Sequence, residues 1–146
     1  MDEPTRASGE GAGPPEPETE PEYVEGIRLF REGLYFQSHE VLEDLWKRTM
    51  SPERRFYQGL IQIATAFHHA SGGNFRGAVS QGEKGRGKLE AYAPRQLDMD
   101  VDRLLADLEG FIDAWARGVH PKGRRWSWPY EGPGAPPARE EEGRGC

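Results

Sequence analysis

The sequence predicts an all-α protein, a single small bundle of four to five helices between disordered ends. Three observations predict it. Apolar residues recur at helical spacing, most fully in Val101, Leu104, Leu105, Leu108, Phe111, Ile112 and Trp115. Helix start and stop signals, such as Ser51-Pro52-Glu53 and Gly72-Gly73, separate the periodic stretches. No stretch alternates with the two-residue period of a strand. A chain of 146 residues suits one domain.

Composition divides the chain. Residues 1–21 are rich in Pro, Gly and Glu and nearly free of apolar side chains, so they cannot bury enough surface to offset chain entropy. The stretch 131–146 reads the same way. Between them lie the expected bundle, 22–118, and a basic aromatic extension, 119–130. The net charge of −6 belongs to the ends. Residues 1–22 hold seven acids and one base, 131–146 four acids and two bases, and 23–130 fourteen acids and sixteen bases. The acidic balance therefore gives no argument for an acidic binding surface. Cys146 is the only cysteine, which excludes an internal disulfide and a thiolate metal site within the chain and fits a cytoplasmic setting. The N-terminus has neither the basic nor the apolar region of a signal peptide. Phe56 to Phe75 lacks Asp, Glu, Lys and Arg, but its glutamines, histidines and paired glycines fit a buried central helix rather than a membrane span.

The first helix is expected over 22–32, with Tyr23, Ile27 and Phe30 on one face and Gly33 as its stop. Leu34, Tyr35 and Phe36 read as an apolar connector. Ser38 then caps a second helix over 39–49. The third begins at Ser51-Pro52 and stops at Gly72. The fourth, 74–93, carries Gly77, Gly82, Gly85 and Gly87, each costing about 1 kcal/mol relative to alanine, so packing has to hold it. The fifth, 100–117, is the most periodic.

At about 100° per residue, Val41, Leu42, Leu45 and Trp46 cover one arc of the second helix, and Glu40, Asp44, Lys47 and Arg48 the opposite arc. His39 and Glu43 belong to neither. They stand one turn apart, facing the same way at the edge of the apolar arc, so both can reach one ion or one substrate group. On the third helix Gln58, Gln62, Thr65 and His69 form an uncharged polar strip, where a solvent-facing strip would carry Lys or Glu. The spacing therefore predicts that the two polar edges face each other. His68 projects about 100° away from His69.

The segment His39-Glu40-Val41-Leu42-Glu43-Asp44-Leu45-Trp46 resembles the His-x-x-x-Glu-x-x-Trp/Tyr signature of the uncharacterised prokaryotic domain of unknown function 309 family. Gln58-Gly59-Leu60-Ile61-Gln62, His68-His69, Gly73-Asn74 and Gly77-Ala78 are also similar to it, so the resemblance covers roughly residues 23–93. It implies an all-α fold and a suggested metal-binding role for His39 and Glu43, with Trp46 as the third signature position. Gln58, Gln62, Thr65 and His69 come from periodicity alone.

Three readings stay open. A divalent metal (zinc, manganese or iron) suits His nitrogen and carboxylate oxygen, with His69 as a third ligand and Trp46, Gln58, Gln62 and Thr65 lining the pocket. Alternatively the domain is a non-catalytic interaction module, a homodimer, in which a buried His39–Glu43 pair serves structure. The third reading is a small hydrolase with Glu43 as general base, although no nucleophile or cofactor loop is identified. Whether the protein is an enzyme is left undecided. Trp46 also fits the core, and His120, before Pro121, is expected at the surface. Lys122 to Tyr130 is short and matches no nucleic-acid module, so nucleic acid is not an expected partner. Its tryptophans are expected to fold back on the bundle or to mark a protein contact.

Overall fold

The helix signals resolve into five helices: α1 (Pro21–Arg31), α2 (Tyr35–Arg48), α3 (Glu53–Ser71), α4 (Phe75–Leu89) and α5 (Val101–Ala116). The structure is a computed structural model and describes residues 19–121 and 126–135. Expectations for residues 1–18, 122–125 and 136–146 lie outside the described residues. No described helix is long and apolar enough to cross a membrane.

Three local departures from the sequence reading have physical reasons. Helix α2 starts at Tyr35, four residues early, and Ser38 is not its cap. Ser38 is fully buried, and its hydroxyl donates to the Gly26 carbonyl of α1 at 2.7 Å. The added first turn is held by Tyr35, whose ring lies 5.0 Å from Phe30 and 5.4 Å from Phe67, rather than by a side-chain cap. Helix α4 ends at Leu89, and a single 3₁₀ turn, Glu90–Tyr92, carries the chain to Pro94. A minimal hairpin then precedes α5. Strands β1 (Arg95–Gln96) and β2 (Met99–Asp100) pair antiparallel, with Arg95 opposite Asp100 and Gln96 opposite Met99. Leu97 and Asp98 turn between them at φ 48° and 61°, the left-handed pair a two-residue hairpin requires. Two-residue strands show no periodicity in a sequence.

Helix α3 occupies the centre, with Phe56, Leu60, Ile63 and Phe67 at most 1% exposed. It packs on α2 and α4, α1 packs on α2, and α5 packs on α4. Asn74 caps α4 by accepting from the Gly77 amide at 3.0 Å, and Asp100 caps α5 by accepting from Arg103 at 3.0 Å.

Residues 126–131 form a strap across the core. Trp126 stacks on Phe67 (5.3 Å between centroids), Trp128 on Phe30 (4.1 Å), and Tyr130 meets Tyr23 edge-on (5.5 Å). Backbone bonds fasten it to the hairpin: Asp100 donates to Pro129 at 2.9 Å and Glu131 to Asp98 at 2.8 Å. Trp126 and Trp128 thus serve the fold. His120, expected at the surface, is half-buried, and its Nδ1 accepts from the Trp115 indole at 2.9 Å because the chain turns back over α5 there.

Candidate functional site

The early start of α2 places Phe36, His39, Glu43 and Trp46 at helical spacing along one margin, beside α3. His39 Nε2 stands 3.9 Å from Glu43 Oε1. This is beyond the roughly 2.7–3.2 Å of a hydrogen bond involving nitrogen. The His39 side chain is 25% exposed and that of Glu43 38%. The pair is therefore open to solvent on one side and is not a buried ion pair. His39 Nδ1 is buried and has no hydrogen-bond partner. Phe36 lies over the imidazole, its ring 5.6 Å away and inclined by 25°.

Farther along α2, Trp46 is half-buried, and the Arg54 guanidinium of α3 sits 4.2 Å from the centroid of its ring, a cation–π contact. The Trp46 indole nitrogen and Arg54 Nε are both buried without a partner. Trp46 thus packs against the edge of the core at the α2–α3 seam.

The third-helix residues go elsewhere. Gln62 Oε1 accepts from Lys88 Nζ of α4 at 2.9 Å. Burial, with the like charges of Arg55 and Lys84, holds Lys88 below its ordinary pKa. His69 Nδ1 lies 3.3 Å from the Asn74 amide nitrogen at the α4 cap, and its ring edge borders Gly77. Thr65 donates back to the Ile61 carbonyl at 2.9 Å, and Gln58 is half-buried. The strip of Gln62 and His69 therefore engages α4, and the single α2–α3 polar seam predicted from spacing does not form through them. Its neutrality is satisfied by Lys88 and Asn74. Among the described residues no three His, Cys, Asp or Glu side chains gather closely enough to hold a metal ion.

Sequence reasoning missed two residues. His68, not His69, is the histidine linked to α2, through the Phe36 ring at 5.4 Å. Helical spacing contained the signal: Arg54, Ile61 and His68 are seven residues apart and share the α3 side that meets α2. Phe36, read as connector, belongs to α2 and remains 48% exposed. A cavity of about 240 Å³ lined by Asp107, Gly110, Phe111, Pro121 and Trp126 shares no residue with this margin.

Residues 23–81 match a family model described as Domain of unknown function (DUF309). The uncharacterized protein YpuF of Bacillus subtilis (strain 168) is 42% identical over 74 residues, covering 49% of this chain and 42% of YpuF. The chain thus spans less than half the length of that relative. No solved structure matches. The resemblance carried by His39, Glu43 and Trp46 is borne out over residues 23–81, the stretch that matches the DUF309 model.

Proposed function

We propose that this is a cytosolic, metal-binding helical domain in which His39 Nε2 and Glu43 hold a divalent ion in an open, two-donor site. The 3.9 Å separation carries the reading. It is too long for a hydrogen bond, yet two ligand bonds of about 2.1 Å span at most about 4.2 Å. An ion between the two side chains would bridge that gap with little movement. Imidazole and carboxylate together suit zinc, iron or manganese. The ion would supply Lewis acidity at the α2 surface. The chain's own part is to fix one nitrogen and one oxygen on a single helical turn, with Phe36 shielding the ring.

The site is weak in the isolated chain. Nε2 ligation puts the remaining ring proton on Nδ1, which is buried without a partner. Such an orphan costs about 1–3 kcal/mol, and the metal bond has to exceed it. His69 would join only by leaving Asn74 and the α4 cap.

Equilibrium dialysis of tag-free protein against Zn²⁺, Mn²⁺ and Fe²⁺, followed by metal analysis, tests the reading. Retained metal that disappears in His39→Ala and Glu43→Gln supports it. A metal-free protein whose melting temperature ignores all three ions counts against it.

A non-catalytic interaction module is the second reading. Leu34 and Phe36, 40% and 48% exposed at the start of α2, favour it, since exposed apolar surface, where contiguous, marks a contact site. It requires no metal.

A further inference from the structure

We propose that a second copy of this chain completes the His39/Glu43 site, one divalent ion being shared by two α2 helices across a two-fold axis. The inference rests on the metal reading of the pair. A zinc-class ion takes about four ligands, whereas this margin presents two donors. Among the described residues no group of three His, Cys, Asp or Glu supplies the remainder. Both donors keep an exposed face, so further ligands can approach them from the solvent side.

Helix α2 is placed for such a contact. It packs against α1 and α3 on its inner sides, and Gln37, Glu40, Asp44, Lys47 and Arg48 leave its outer side exposed. His39 and Glu43 lie about 6 Å apart along the helix axis, four residues at about 1.5 Å each. Two antiparallel α2 helices related by a two-fold axis level with Val41 bring each His39 opposite the partner's Glu43. Two nitrogens and two oxygens then surround one point on the axis. The same pairing sets imidazole against carboxylate, so the surface is complementary to itself, as a two-fold contact requires. Leu34 and Phe36, exposed at the start of α2, provide the apolar rim that the second copy covers.

Sedimentation equilibrium of the full, tag-free chain with Zn²⁺ tests the sharing, with bound metal measured on the same samples. Cys146→Ser is carried throughout, because a terminal thiol can cross-link chains or bind zinc. The expected result is a doubling of the 16.4 kDa mass with one ion per two chains. It reverses with EDTA and is lost in His39→Ala and Glu43→Gln, whose far-UV circular dichroism stays that of the parent. One ion per chain at single mass overturns the sharing and leaves the metal reading standing. A dimer that ignores zinc, EDTA and both substitutions also overturns it. No bound metal at all removes the underlying reading and the inference together.

Discussion

Gly59 and Gly85 bring α3 and α4 together backbone against backbone: a β-carbon on Gly85 would stand 2.8 Å from the Gly59 carbonyl oxygen. The obstacle is main chain, so it cannot swing aside. Gly85→Ala is expected to lower stability by about 1–3 kcal/mol, the usual cost of overpacking. On the same helix nothing lies within 4 Å of a β-carbon on Gly87. Gly87→Ala is expected to raise stability by about 0.4–1 kcal/mol through the unfolded chain's lost freedom. Urea midpoints of the two variants should move in opposite directions.

The strap gives a second expectation. Trp128 is 3% exposed and stacked on Phe30, with ring planes 11° apart. Trp128→Ala should cost about 3–5 kcal/mol. Trp128→Phe keeps a ring on Phe30 and deletes an indole nitrogen that is buried without a partner, so it should lose less. Thermal unfolding followed by circular dichroism ranks the three proteins.

Alkaline pH should unfold the domain. Burial, and then the negative charge of Glu20, push Tyr57 up to about 12, and burial raises Tyr23 farther. An unfolded tyrosine ionises near pH 10. Above that pH the unfolded chain holds fewer protons than the folded one, so these tyrosines leave stability unchanged below about pH 10 and lower it as pH rises toward 12. Tyrosinate absorbance should therefore appear together with loss of helix. Full tyrosine titration with the helices intact would contradict this.

The fold could be read from the sequence where local pattern and tertiary demand coincide. The α5 stripe and the Ser51-Pro52 start of α3 are of that kind. The α2 start was not, because Leu34-Tyr35-Phe36 has no capping chemistry and its turn depends on packing against Phe30 and against Phe67, which is remote in sequence. The fourth helix showed only the cost of its glycines, not the close approach to α3 that uses Gly85. At the candidate site, the α2 wheel placed His39 beside Glu43. Which neighbour satisfies Gln62 and His69 is a question of packing, and Lys88 and Asn74 answer it from α4.

The His39–Glu43 pair should matter little to stability. At 3.9 Å, with Glu43 38% exposed, it belongs with surface pairs, which contribute about 0–1 kcal/mol. Glu43→Ala should shift the urea midpoint by no more than that while abolishing metal retention. A loss of several kcal/mol would mean that the pair is structural.

Long-range ¹⁵N–¹H spectra of the histidine side chains, recorded with and without Zn²⁺, reach the central claim most directly, because the four imidazoles are read separately. The account predicts that zinc displaces the His39 Nε2 resonance in the parent and not in Glu43→Gln, while His69 and His120 stay in place. Zinc that moves His68 or His69 and leaves His39 unchanged would contradict it.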